Sequence, residues 1–228
     1  MAGSGAALLA RIAAAPEGYA LVHHASDIAR HGRLLTPRPG RAEVRVVVTP
    51  GREAAEWHVD AAGRDRPGLL AAITGVLTGE GMDVTQAVVA TWDDGAALQA
   101  LVVRSATAPD PARLQVRFAA ALRGPAGWSG VADAGIRFDD GASPVFTACQ
   151  VRATDRPGLL HDITSGMAAV GVDIHAARAT TVAGTAMDHF DLTDGSGRKL
   201  DTALKAAVHR ALRTGPAAEP SRRGRGGR

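Results

Sequence analysis

The sequence predicts an α+β protein made of two tandem βαββαβ units. The hexapeptide Asp65-Arg66-Pro67-Gly68-Leu69-Leu70 recurs unchanged as Asp155-Arg156-Pro157-Gly158-Leu159-Leu160. Identities continue at the same offset at Ile73 and Ile163, Thr74 and Thr164, Gly81 and Gly171, and Asp83 and Asp173. A fixed-period self-similarity of this kind marks a duplicated supersecondary unit. Around each copy, strand-like alternation and helical apolar stripes follow one another in the same order.

In the first unit, residues 56–63 alternate through Trp57, Val59 and Ala61 and read as a strand. Pro67 is placed at the first helical position, where a missing N–H leaves nothing unpaired. Leu69, Leu70, Ile73, Val76 and Leu77 form the apolar stripe, and Gly81 stops the helix with a left-handed cap. Residues 83–91 and 97–104 read as strands joined by a hairpin turn at Asp94-Gly95. Asp110-Pro111 opens a second helix carrying Leu114, Phe118 and Leu122, and residues 131–138 close the unit as its fourth strand.

The second unit repeats this order with a strand at 145–153, a helix at 157–169 and strands at 173–182 and 186–193. A last helix carries Leu204, Val208 and Leu212. No fourth strand follows Arg213, which would leave a sheet edge unpaired. The spare strand at 43–49 is expected to complete that second sheet and lock the units together; a hairpin on the first unit is the competing arrangement. The division expected is a helical linker-like segment 1–41, a first domain with its preceding strand 42–141, a second domain 142–213 and a disordered Arg/Gly-rich tail 214–228.

Charge and composition exclude several function classes. The tail holds four arginines against Glu219 and accounts for the whole net charge of +3, so the folded part is near neutral. Aromatics make up 4% of the chain, which leaves no stacking platform, and nucleic-acid binding is set aside. Cys149 is the only cysteine, so no internal disulfide forms, and its apolar surroundings read as a buried strand thiol. No apolar run is long enough to span a bilayer. Arg11 interrupts the N-terminal Ala/Leu patch, against a signal peptide. A cytoplasmic protein with no membrane partner is expected.

A ferredoxin-like βαββαβ unit with Asp-Arg-Pro-Gly-Leu-Leu at its first strand–helix junction resembles an ACT domain. Two in series, the second lacking its final strand, resemble the C-terminal regulatory region of the bacterial PII uridylyltransferase/uridylyl-removing enzymes. Tyr19-Ala20-Leu21-Val22-His23 and Asp27-Ile28-Ala29-Arg30-His31 resemble the segment joining that family's catalytic part to its ACT pair, so the resemblance covers residues 19–213. The family's transferase centre needs a Gly-Ser turn with an Asp-x-Asp pair, and no Asp-x-Asp occurs here. Its removing activity needs a metal-binding HD domain. The one His-Asp dipeptide, His161-Asp162, lies in a repeat helix opposite Ala71-Ala72 and reads as a surface position. The resemblance therefore implies a sensor with no catalytic residues, bound metal or cofactor of its own.

The expected ligand site follows from the repeated loops. A helix N-terminus offers free N–H groups and partial positive charge to a carboxylate. Gly68 and Gly158 let a ligand approach the backbone, and Asp65 and Asp155 are placed to pair with an α-ammonium. Arg66, Pro67 and Leu69, with Arg156, Pro157 and Leu159, complete the loops. Asp83 and Asp173 begin the next strand, where the resemblance implies a polar ligand contact. A small-molecule amino acid satisfies both halves. Gly63 and Ala153 stand where serine-binding relatives carry histidine, which puts serine in doubt, and the resemblance implies glutamine, the signal that those enzymes report.

Competing readings treat Asp-x-Pro-Gly as a helix-start signal in a purely structural oligomerisation module, or the chain as a truncated or divergent PII uridylyltransferase. A homodimer, or a catalytic or PII-type protein, is the expected partner. His23, Asp27 and His31 have metal-ligand spacing on a continuous helix. An N-cap at Ser26-Asp27 moves His23 off that face, however, and leaves a packing helix. Asp93 and Asp94 before Gly95, and Asp139-Asp140-Gly141, read as turns.

Overall fold

The computed structural model describes residues 2–124 and 127–216. Residues 217–228, most of the expected tail, lie outside them. Helix α1 (Ala2–Ala13) and helix α2 (Ala25–Leu34) precede strands β1 (Arg45–Pro50) and β2 (Glu56–Arg64). Helix α3 (Leu69–Gly79), β3 (Asp83–Thr91), β4 (Ala96–Arg104) and α4 (Pro111–Ala121) complete the first repeat. The second comprises β5 (Gly135–Asp139), β6 (Thr147–Thr154), α5 (Leu159–Ala169), β7 (Val172–Val182), β8 (Thr185–Asp194) and α6 (Thr202–Thr214). None of the described helices is long and apolar enough to cross a membrane.

All eight strands join one antiparallel sheet in the order β1-β2-β4-β3-β7-β8-β6-β5. The halves meet through β3 and β7. Their register runs Gln86 to Thr180, Val88 to Arg178 and Ala90 to Ala176. Val88 and Arg178 hold equivalent places in the two repeats, as do Gln86 and Ala176. The pairing is therefore self-complementary, as across a two-fold dimer interface. On the helix side, Thr74 and its counterpart Thr164 bring their hydroxyls to 3.4 Å, each also donating to a carbonyl one turn back.

Strand exchange differs from the sequence expectation. Strand β1 pairs with β2 and closes the first half, which is the hairpin arrangement. Strand β5, expected to close the first unit, crosses over and pairs with β6. The second half is thus completed from upstream, but by residues 135–139 and not by 43–49. Each repeat is a ββαββα unit that carries its edge strand in front of it. The pattern of apolar residues specifies that these segments are strands, and it is silent on which edge each joins.

The Arg-Pro-Gly-Leu sequence builds a type II turn in both copies. Leu69 N–H donates to the Arg66 carbonyl at 3.2 Å and Leu159 N–H to that of Arg156 at 3.1 Å. Proline presets the second turn position and glycine supplies the positive φ of the third, 82° at Gly68 and 79° at Gly158. These glycines are the N-caps, so Pro67 lies before the helix and not at its first position.

Helices α3–α6 cover one face of the sheet. Ile73, Leu77, Phe118, Ile163, Met167, Val208 and Leu212 bury against Leu101, Val151, Phe190 and Leu192 in one continuous core spanning both repeats. On the opposite face, Tyr19, Leu34 and Leu35 pack on Ala62, Ala90, Trp92 and Leu98, so residues before β1 cover the first half and share a cavity with β7 and β8 at its border. Cys149 is buried in the core, and burial pushes its thiol up to about 12.

Candidate functional site: two clefts between the repeats

The two repeated loops do not sit over their own repeat's strand starts. The two-fold arrangement brings each against the other repeat. Asp65 lies 3.7 Å from His175 Nδ1, and Asp65, Arg66, Gly68, Leu69, Leu70, Gln99, Thr164, Asp173 and Ile174 line one small cleft. The second is lined by Asp155, Arg156, Gly158, Leu159, Leu160, Val84, Thr85, Thr180 and Asp188. Asp83 stands near it, its carboxyl raised by burial and then by the charge of Asp155. The predicted aspartates thus come together in crossed pairs, Asp65 with Asp173 and Asp155 with Asp83.

The predicted arginines are committed elsewhere. Arg66 donates to the Leu122 carbonyl at the end of α4, 3.0 Å away. Arg156 donates to Asp162 at 2.6 Å. Asp162 also accepts from the Ser129 N–H at 2.6 Å, and His161 places its ring nitrogens 3.0 and 2.8 Å from the Ala71 and Gly127 carbonyls. The half-buried His161 and the buried Asp162 therefore clasp the crossover segment and are not a free surface position. Sequence alone misses it because the residues it holds are far away along the chain.

Three cleft residues were not foreseen. Gln99 and Asp188 occupy equivalent positions on β4 and β8 beneath the loops, 2% and 3% exposed. A signal existed: each is the polar member of a core-facing series, Ala97-Gln99-Leu101 and Ala186-Asp188-Phe190. His175 is the third, and its counterpart is Thr85. Burial pushes the Asp188 carboxyl up to about 7, with the Thr180 backbone N–H opposing and Asp155 adding to the rise. Asp65 is pushed up to about 6 by burial and by Asp173, against the opposite influence of His175.

The clefts are nearly closed, with free volumes of about 20 Å³ at Asp155 and about 10 Å³ at Asp65. A roomier cavity of about 240 Å³ flanks Arg66, Pro67 and Gly68 on the α4 side.

The His23, Asp27 and His31 group forms a different structure from the helical face its spacing allows. Helix α2 is capped at His24, with Asp27 accepting from the His24 N–H, so His23 precedes the helix. Its ring still meets that of His31, centroids 4.9 Å apart. His31 Nδ1 lies 2.6 Å from the Tyr19 hydroxyl and its Nε2 lies 3.3 Å from Asp60. Arg30 donates to Asp60 at 2.6 Å. Burial pushes the Asp60 carboxyl up, but His31 and Arg30 outweigh it and hold it below its ordinary range. Burial and the neighbouring His31 bring His23 down to about 4. Asp94 pairs with Arg11 at the β3–β4 turn, as a turn residue can.

The chain is 27% identical over 216 residues to the bifunctional uridylyltransferase/uridylyl-removing enzyme of Rhodospirillum rubrum, covering 85% of this chain and 22% of that one. The namesake of Methylococcus capsulatus is 34% identical over 169 residues, 65% of this chain and 19% of its own. The chain resembles one region of these enzymes. It spans about a fifth of the length of the curated relatives it matches. No protein-family model matches it. Among solved structures, aspartate kinase from Synechocystis aligns over 70% of this chain and 26% of its own at 16% identity and a TM-score of 0.38. The regulatory subunit of aspartate kinase from Thermus thermophilus aligns over 75% and 99% at 14% identity and a TM-score of 0.23. The ferredoxin-like order of each half rests on this chain's own strand pairing.

Proposed function

We propose that the chain is an amino-acid-sensing regulatory module with no catalytic centre of its own, that glutamine is its ligand, and that it serves nitrogen regulation. The observation that carries this reading is the crossed assembly of the clefts. Each places a helix N-terminus from one repeat opposite acidic strand residues from the other. The helix end suits an α-carboxylate. Asp155, Asp83 and Asp188 around the second loop suit an α-ammonium.

Because each cleft takes residues from both repeats, a ligand there acts on their mutual packing. A free volume of about 20 Å³ has room for a water but not for an amino acid. Entry of an amino acid therefore requires the loops and the opposing strand starts to separate. A ligand with greater affinity for the open arrangement shifts the population toward it, and this is the signal passed to a catalytic or PII-type protein partner. A cation beside Asp188 also favours its ionised form, so ligand uptake near pH 6 releases a proton.

The test is calorimetric titration with glutamine alongside a thermal-shift scan of the other amino acids, all in EDTA. A ligand at a hundred times its dissociation constant adds about 2.7 kcal/mol and several degrees to the melting temperature. The expected result is a selective shift with glutamine that Asp155→Asn abolishes, with proton release dependent on buffer ionisation. No shift with any amino acid overturns the sensor reading in favour of an assembly module. Turnover of PII protein with UTP and magnesium by this chain overturns the absence of a catalytic centre.

A further inference from the structure

The two clefts are related by the internal two-fold, but their chemistry is not. At the Asp65 cleft, Asp65, Asp173 and His175 each offer a ligand atom, and these atoms lie within 4.8 Å of one another. No other group of three such residues among those described meets this spacing. At the equivalent place in the other cleft Thr85 stands for His175, and the imidazole that lines that cleft, His161, is turned to the Ala71 and Gly127 carbonyls.

Three further observations bear on what this cluster holds. Gln99 lines the same cavity, is 2% exposed, and its amide oxygen is buried with no hydrogen-bond partner. A buried unpaired carbonyl is costly and calls for a donor or a cation. The cavity's free volume of about 10 Å³ admits a single atom and not an amino acid. His175 is also held as metal-bound histidines are. Its Nε2 lies 2.8 Å from the Thr193 hydroxyl and 4.0 Å from Asp173, its Nδ1 lies 3.7 Å from Asp65, and its ring lies on Phe146, centroids 5.1 Å apart. A second-shell hydrogen bond of this kind fixes tautomer and ring orientation.

We infer that Asp65, Asp173 and His175, with the Gln99 amide oxygen, form a divalent-cation site between the repeats. Two carboxylates, one amide oxygen and one imidazole, a mixed oxygen and nitrogen set of four, suit Mn²⁺ or Zn²⁺ better than Ca²⁺, which takes six to eight oxygens. The carboxylate side chains are 16% and 18% exposed, so an ion has a path from solvent. Since its ligands come from both repeats, the ion fastens the first loop to the start of β7. The two clefts then divide their work, one bridged by a cation and the other left to open. This inference leaves the amino-acid reading to the Asp155 cleft, and the two are tested with different ligands.

The experiment is Mn²⁺ binding to the full chain, stripped with EDTA and studied without amino acids, by calorimetry and electron paramagnetic resonance. The expected result is one Mn²⁺ per chain in the micromolar range, with selective paramagnetic broadening of the His175 ring resonances. His175→Ala and Asp173→Asn should each weaken binding more than about tenfold, and Thr193→Val about tenfold, as second-shell losses do. Asp155→Asn and His23→Ala should bind as the parent does. No binding up to millimolar Mn²⁺ overturns the site. So does binding retained in folded His175→Ala, or broadening centred on His23 and His31. The broadening is read on the unsubstituted protein, so the outcome does not depend on any variant folding.

Discussion

The face of the sheet opposite α3–α6 differs between its halves at one pair of equivalent positions. In the first half, Asp60 on β2 is 2% exposed beneath α2, bonded to Arg30 and facing His31. In the second half the same position is Gln150, half-buried, whose amide reaches only His189 across the strands at 3.1 Å. One half carries a polar network sealed under helices, the other an open polar surface. Duplication kept the helix side of the fold alike, where the core is shared, and let the opposite side diverge.

The sharpest way to break the comparison is to remove its charged centre. Asp60→Ala removes the buried acceptor of Arg30, which keeps Asp27, and is expected to cost about 1.5–3 kcal/mol. Gln150→Ala should stay within about 1 kcal/mol. Urea unfolding of both variants checks this, and equal losses would mean that α2 does not seal its face.

The second contrast is Asp188 against Gln99 on the helix side. Asp188 is pushed up to about 7 from an ordinary 3.8, so between those values the native state keeps a proton the unfolded chain has released. Stability contributed by this group is therefore full below about pH 4 and lost as pH rises to about 7. Asp188→Asn, which restores the amide found at Gln99, should be more stable than the parent at pH 8 relative to pH 5, by on the order of 2 kcal/mol. Melting temperatures across pH 4–8 measure it, and parallel curves for parent and variant would refute it.

The loop glycines give a third, smaller contrast. Both have a φ that favours glycine, so alanine should cost about 1–2 kcal/mol at either. A Cβ on Gly158 would also stand 3.0 Å from Thr78 Cγ2, whereas one on Gly68 meets nothing nearer than Ala168 at 3.8 Å. Gly158→Ala should therefore be the more destabilising, unless Thr78 is trimmed to alanine at the same time. The smallest effect is expected at the surface. Arg11→Ala breaks a partly exposed pair with Asp94 and should cost about 0.5 kcal/mol, less at high salt.

Much of this was legible in the chain. The twin hexapeptides locate both loops and the apolar stripes locate α3 and α5, whereas Asp83 and Asp173 stand out only through the family resemblance. Gln99 and Asp188 were readable in principle, as polar residues at core-facing strand positions. His175 carried no local signal. It sits in a strand with Asp173, and only the arrival of Asp65 from the other repeat makes it notable. The clasp at His161 and Asp162 was hidden for the same reason.

The sequence by itself determined the repeat, the type of each element and the turn geometry at Pro67-Gly68 and Pro157-Gly158, because these follow from interactions between residues close along the chain. Tertiary structure decided which edge β1 and β5 join, which loop faces which aspartate, and which half lies under α2. A strand's alternation fixes its faces but not its neighbour. Partners chosen across the two-fold are set by how the whole core packs, and no short stretch of sequence encodes that.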